Sequence, residues 1–378
     1  MAVSLIFKQF YAPLLLIVSV SVVFGSYAYG QINTDRQFWT IDEYIEREPD
    51  QAKRMLDFSK MVQKPAKKIS ASVDNNISIT IVYPANQVSD YWRRSVASME
   101  GRLKETGIKY TLNSYFTLPG TETRAQSRKL GEALRNQPDY LIFTLDVAQH
   151  KNFIDRILST KRPKLILQNI TTPLRQWGDQ QPFMYVGFDH VLGTKMLADY
   201  YRKKTGGKGK YALLYGTKGY VSTMRGDSFI SMMQASPEIE LVASYYTDYN
   251  RKRAFNATLE ILQEFPDLKF IYAGSTDISL GVIDALKKTG KLGTILVNGW
   301  GGGSSELEAI ASGDMDVTVM RMNDDNGVAM ADAIRLDLKG QNDQRGLIFS
   351  GEFSLIEKGI DPVVLENLSR RAFRYSGQ

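Results

Sequence analysis

Several short clusters in this 378-residue chain carry side chains suited to recognising a small polar molecule. Pro84-Ala85-Asn86-Gln87-Val88-Ser89-Asp90-Tyr91-Trp92 offers amides, a hydroxyl and an indole within one loop and one helical turn. Asn169, Arg225-Gly226-Asp227, Ser275-Thr276-Asp277, Trp300 and Arg321 add amide, guanidinium, hydroxyl, carboxylate and indole groups further along. The indoles of Trp92 and Trp300 present flat apolar faces to the C–H side of a sugar-like ring, while Gln87, Asn169, Thr276 and Asp277 can donate to and accept from hydroxyls. Arg225 and Arg321 face only one obvious carboxylate, Asp277, so the set favours a ligand with an anionic centre. Each residue taken singly has a plainer role. Ser89, Thr276 and Asp277 suit helix N-caps, the tryptophans suit packing, and the arginines suit surface ion pairs.

Other chemistries fit less well. Gly301-Gly302-Gly303 lacks a following Gly-Lys-Ser/Thr and is read as a tight turn into a helix rather than a phosphate loop. Asp324 and Asp325 belong in the first turn of a helix and lack calcium-loop spacing. The chain has two histidines, His150 and His190, far apart in sequence and expected at the surface or as capping residues. A zinc site or a catalytic histidine pair is therefore not expected, and no catalytic residue, cofactor or metal is assigned.

An alternation of short apolar runs with amphipathic stretches positions these groups, the pattern of a parallel α/β sheet. Strands are expected at Ile77 to Tyr83, Ile108 to Tyr115, Tyr140 to Leu145 and Leu165 to Gln168. A turn-rich loop, Thr171 to Pro182, precedes a second series: Tyr185 to Phe188, Tyr211 to Tyr215, Leu241 to Tyr246, Phe270 to Ala273 and Thr294 to Asn298. Val317 to Arg321, a helix over Asn323 to Lys339, and a strand at Leu347 to Glu352 complete the chain. The fold class is α/β, two doubly wound Rossmann-like lobes joined by a three-strand hinge. Residues 31–172 with 322–345 form the first lobe and 173–321 with 346–378 the second, with crossings near Thr172, Arg321 and Gly346. In such sheets ligands bind beyond the carboxyl ends of the strands, where every cluster above falls. Ser89 is the expected N-cap of a helix whose Trp92, Val96, Met99 and Leu103 share one face. A helix is also expected within Asp35 to Lys68, docking through Ile45, Met55 and Phe58.

Hydrophobic residues make up 43% and charged residues 23% of the chain, enough for two cores. There is no cysteine, which excludes disulfides and thiolate chemistry. The net charge of +6 is spread out and nothing resembles a nucleic-acid arm. Lys8, an apolar run from Ala12 to Phe24, and the small residues Ser26, Ala28 and Gly30 have the order of a secretory signal peptide over residues 1–30, which points to a periplasmic protein. A membrane anchor ranks second.

The longer motifs resemble LuxP-type receptors of the type I periplasmic binding protein family. They are Val82-Tyr83-Pro84 with Gln87-Val88-Ser89-Asp90-Tyr91-Trp92, Leu167-Gln168-Asn169-Ile170-Thr171-Thr172-Pro173, Tyr185-Val186-Gly187-Phe188-Asp189-His190, Val297-Asn298-Gly299-Trp300-Gly301-Gly302-Gly303 and Val319-Met320-Arg321-Met322-Asn323-Asp324-Asp325. The likeness runs from about Ile77 to Ser376 and is loose over Phe38 to Val62. It implies a receptor that closes on the quorum-sensing signal autoinducer-2, as a furanosyl borate diester, and regulates a LuxQ-type membrane sensor histidine kinase. It also implies ligand contacts from Gln87, Ser89, Trp92, Asn169, Arg225, Thr276, Asp277, Trp300 and Arg321, with both arginines facing the borate. None of the nine is substituted, which favours the borate form. The alternative with the same architecture is a sugar-binding component of an ABC importer. An enzyme using Asp277 lacks a second carboxylate in a matching loop, and a DNA-binding regulator lacks an N-terminal helix-turn-helix.

Overall fold

The computed structural model describes residues 37–69, 76–119, 122–145 and 148–377. The expected leader, 1–30, lies outside the described residues. Among those described, no helix is long and apolar enough to cross a membrane.

Two six-stranded sheets organise the chain. The first contains β1 (Ile77–Tyr83), β2 (Tyr110–Phe116), β3 (Tyr140–Phe143), β4 (Lys164–Gln168), β5 (Met184–Phe188) and β11 (Ile348–Gly351). Its order is β11-β5-β4-β3-β1-β2, and every pairing is parallel. The second contains β6 (Gly209–Tyr215), β7 (Ile239–Tyr246), β8 (Phe270–Ala273), β9 (Leu296–Gly301), β10 (Val317–Arg321) and β12 (Phe353–Glu357), in the order β12-β10-β9-β8-β6-β7. Only β12 runs antiparallel to its neighbour. The sheets are the cores of two doubly wound lobes, the type I periplasmic binding protein fold.

Helices cover both faces of each sheet, so the central strands are buried on both sides, as parallel sheets require. On one face of the first sheet Ile79, Ile81 and Ile142 meet Met99 and Leu103 of the helix Tyr91–Thr106 and Val328 and Ile334 of the helix Asp324–Leu338. The opposite face packs Val82, Leu141 and Leu167 on Leu130, Ile154 and Ile157. The second sheet is covered in the same way by Ile261, Ile278 and Leu286 on one side, and by Leu197, Tyr201 and Phe229 on the other. Across the Tyr91–Thr106 and Asp324–Leu338 interface, Arg102 Nη2 donates to Asp332 Oδ2 at 2.7 Å, and within the second helix Arg335 Nε donates to Asp332 Oδ1 at 3.1 Å. Asp332 is fully buried, so these bonds offset its desolvation.

The sheet assignments move two of the expected lobe crossings. β5, expected in the second lobe, pairs with β4 and β11 in the first, so the chain crosses at Asp189 rather than near Thr172. The turn-rich loop before β5 stays in the first lobe because it is tied down there: Trp39 N donates to the Pro173 carbonyl at 2.7 Å, and Thr171 and Leu174 are fully buried. The single strand expected over Leu347 to Glu352 is two strands in different sheets, with the crossing at Glu352 instead of Gly346. The chain crosses again after Arg321, since β10 is in the second sheet and the helix after it packs on the first. The segment before β1 holds two helices, Ile41–Arg47 and Asp50–Gln63, separated at Pro49, and the second docks through Phe58 and Val62.

Candidate functional site

In each sheet the strand order reverses beside the first strand of its lobe, between β1 and β3 and between β6 and β8. A crevice opens at such a switch point beyond the strand ends. The lobes bring these two crevices face to face around a small cavity of about 50 Å3, partly open to solvent.

β1 delivers the loop 84–90. Gln87 Nε2 donates to the Pro84 carbonyl at 2.7 Å, which holds the loop in a tight turn. The N-cap position of the helix Tyr91–Thr106 is Asp90, not Ser89 as expected, and the Asp90 side chain does not cap its own helix. The main-chain N–H groups of Val88 and Ser89 donate to the Asp277 carboxylate of the other lobe at 2.9 and 3.2 Å. Asp90 Oδ2 reaches across to accept from the Ser304 hydroxyl at 3.0 Å. Each lobe thus places a carboxylate on unpaired groups at the start of a helix in the other. Trp92 stacks within an aromatic group, 4.6 Å from the Tyr83 ring centroid and 4.8 Å from that of Tyr91.

The second lobe contributes Arg225 from a π-helical turn, Thr223–Asp227, a local distortion frequent at functional positions. Its Nη1 donates to the Gly274 carbonyl at 2.8 Å, its Nε donates to His190 Nδ1 at 3.3 Å, and its carbon Cζ lies 3.7 Å from the Trp300 ring centroid. Trp300 Nε1 donates to the Tyr272 hydroxyl at 3.0 Å. One face of Trp300 therefore carries a guanidinium, where the sequence suggested an open platform for a sugar ring.

Arg321 ends β10 and points into the same cavity. Its Cζ lies 4.1 Å from the Tyr91 ring centroid, and its Nε is buried without an acceptor. The glycine run makes room for it. Gly301 has a φ of +138°, and a Cβ there would stand 2.2 Å from Arg321 Nη2. Gly303 occupies the N-cap position of the helix Ser304–Ala311, in keeping with a tight turn.

The electrostatics derive from burial. Desolvation, then repulsion from Arg321, pulls the Arg225 pKa down to about 10. Burial likewise lowers that of Arg321, opposed by Tyr91, Glu306 and Asp90. The two carboxylates are committed elsewhere. Glu306 accepts from the N–H groups of Trp300 and Gly302 and from the Thr318 hydroxyl, and Asp90 pairs with Arg94 and Ser304. Burial raises the Asp277 pKa, against the lowering effect of the Val88 and Ser89 N–H groups. Asn169, at a left-handed φ of +66°, keeps a buried Oδ1 without a donor, and Ser275 Oγ is similarly unsatisfied. Buried polar atoms usually find partners, and Asn169 Oδ1, Ser275 Oγ and Arg321 Nε have none within the structure.

Eight of the nine expected residues line the cavity: Gln87, Ser89, Trp92, Asn169, Arg225, Thr276, Trp300 and Arg321. Asp277 does not; its carboxylate lies on the Val88 and Ser89 amides beside it. Tyr91, Thr144, Val221, Tyr249 and Ser275 join the lining. Both histidines, expected at the surface or as caps, are 1% exposed. His190 stands just past the end of β5, and that position alone would have marked it for the cavity. Among the described residues no group of three or more His, Asp or Glu could hold a metal ion.

A family model described as a periplasmic binding protein domain matches residues 79–342. The ribose import binding protein RbsB of Salmonella typhimurium is 29% identical over 164 residues, 42% of this chain and 54% of that protein. The D-allose-binding periplasmic protein of Escherichia coli is 29% identical over 145 residues, 38% of this chain and 47% of that protein. The chain thus spans about half the length of the curated relatives it matches. Among solved structures, an ABC transporter solute binding protein from Agrobacterium vitis bound with alpha-D-tagatopyranose has a TM-score of 0.69 at 19% identity, covering 77% of this chain and 98% of that one. A periplasmic solute binding protein from Actinobacillus succinogenes with bound D-allose has a TM-score of 0.65 at 20% identity, covering 77% of this chain and 100% of that one. At such identities these structures establish the fold.

Proposed function

We propose, since the chain belongs to the family of periplasmic binding protein domains, that it is a binding protein without catalytic activity whose lobes close on one small, oxygen-rich, sugar-like ligand with an anionic centre. The observation that carries this reading is the pair Arg225 and Arg321, both buried at one cavity that no carboxylate among the described residues lines. Two buried guanidiniums repel each other, and a ligand anion relieves that repulsion while hydroxyls meet Asn169 Oδ1 and Ser275 Oγ. The furanosyl borate diester of autoinducer-2 has this chemistry: a compact polyhydroxylated ring with one negative charge on a tetrahedral centre. With that ligand goes a periplasmic location and a LuxQ-type membrane sensor histidine kinase that reads lobe closure, both implied by the resemblance to LuxP-type receptors.

A second reading is favoured by the curated relatives, which are named for ribose and allose. In it the ligand is a neutral sugar delivered to an ABC importer, and the guanidiniums donate to hydroxyls.

Calorimetric titration of the mature protein separates the two. Binding of the autoinducer-2 precursor that strengthens when borate is added supports the anionic ligand. Binding of ribose or allose, with no response to the borated precursor, would establish the importer reading instead.

A further inference from the structure

His190 touches both lobes at the point where the chain first passes between them. It is the first residue after the crossing at Asp189, opening the helix His190–Thr205 of the second lobe. Its Nε2 lies 3.0 Å from the Asn169 carbonyl of the first lobe, and its Nδ1 lies 3.3 Å from Arg225 Nε. A carbonyl only accepts and a guanidinium only donates. The imidazole must therefore be neutral, protonated on Nε2 and bare on Nδ1. Its ring is enclosed by Trp300 and Tyr220, with centroids at 5.5 and 5.7 Å. Arg225 has just two side-chain hydrogen bonds among the described residues, to His190 and to the Gly274 carbonyl. The first acts on Nε and so fixes the plane and direction of the guanidinium.

We propose that His190 is a positioning residue that, as the Nε2-protonated imidazole, aims the Arg225 guanidinium into the cleft and ties its orientation to the first-lobe strand end at Asn169. The inference rests on the anion-binding reading of the cleft, and it adds a residue that touches the ligand only through another. An imidazolium at this place would oppose Arg225, would be repelled by Arg321, and would lose the acceptor for Arg225 Nε.

Two substitutions separate the halves of the imidazole. His190→Asn keeps an acceptor near the position of Nδ1, and His190→Gln keeps a donor near the position of Nε2. Titration of full-length mature protein with borated autoinducer-2 precursor is expected to give near-wild-type affinity for His190→Asn and a loss of about tenfold or more for His190→Gln, corresponding to about 1.4 kcal/mol. Thermal melts of both variants are recorded alongside, since lost packing would weaken both alike. With two histidines in the chain, 15N NMR of the imidazoles, assigned with His150→Gln, reads the tautomer without any ligand. A neutral Nε2–H signal for His190 at neutral pH is expected. Equal affinities in the two variants, or an Nδ1–H or imidazolium signal, would overturn the proposal. If wild type binds ribose and ignores the borated precursor, the anionic reading fails, and the same ribose titrations and the tautomer signal decide on His190 separately.

Discussion

Asp277 of the second lobe accepts hydrogen bonds from two consecutive main-chain N–H groups of the first, Val88 at 2.9 Å and Ser89 at 3.2 Å. The contact is matched by Asp90, which accepts from Ser304 N and Oγ in the opposite direction. These bonds exist only while the lobes meet, so they favour the closed arrangement over any open one.

Asp277→Asn keeps the shape of this side chain and removes its charge. Hydrogen bonds to charged groups contribute about 1.5–3 kcal/mol, so affinity for the cleft ligand should fall by an amount of this order. Small-angle scattering should show a larger radius of gyration without ligand. Unchanged affinity together with an unchanged radius would refute the contribution of Asp277 to closure.

Arg321→Ala should weaken binding of an anionic ligand by about 2–5 kcal/mol, the range for truncating one side of a buried charge pair. Arg321→Lys should recover little of this, because an ammonium lacks the planar fork that stacks on Tyr91. Calorimetry on both variants checks the pair. An alanine variant that binds as tightly as wild type would exclude Arg321 from the ligand.

Asp332 serves stability and not the site. Asp332→Ala leaves Arg102 and Arg335 buried without their carboxylate, and should cost about 3–5 kcal/mol in urea unfolding. Ligand affinity of the folded fraction should not change. A cost below about 1 kcal/mol would mean that the helix interface relaxes around the loss.

Acid should destabilise the fold through its histidines before its carboxyls respond. Burial lowers the His150 pKa from 6.5 to about 4 and holds that of His190 well below 6.5. An unfolded histidine takes up a proton below about 6.5 that the folded one refuses, so stability falls as pH drops from 6.5 toward 4. From His150 alone the loss between pH 7 and pH 5 is about 2 kcal/mol. Burial raises the pKa of Asp189 and Asp316, which contribute with the opposite sign at the acid end of this range. Urea midpoints measured across it should shift less in His150→Gln; a flat profile in the wild type would contradict the burial of both rings.

Most of the strands and most of the cavity are legible in the sequence, for one physical reason. A parallel sheet buried on both faces writes itself as short apolar runs, and the residues just beyond each run lie by topology near the ligand. The bounds of β1, β8 and β10 agree residue for residue. Sheet membership is not legible, because β5 has the same apolar composition whichever lobe it joins. It is Trp39 bonding to Pro173 that keeps its preceding loop in the first lobe, a contact between segments far apart in sequence. The buried setting of His190 escapes a reading that weighs histidine as a metal ligand, a catalyst, or a surface or capping residue, because Asn169 and Arg225, its partners, come from separate loops. The Trp300 face is hidden for a related cause: which side of an indole stays open depends on Arg225, supplied by a turn that no helical periodicity marks.

The three strand crossings, at Asp189, after Arg321 and at Glu352, have a mechanical corollary. Parallel tethers at one edge leave the lobes little freedom except to pivot about a line through them. In a pivot, displacement grows with distance from the axle. His190 and Arg321 border two of the crossings, so they lie near the axle and move little. Val88, Ser89 and Asp277 follow β1 and β8, strands farther from the tethered edge, and so travel further. The ligand proposed above should thus be moored by its anionic end first and clasped at the other end last.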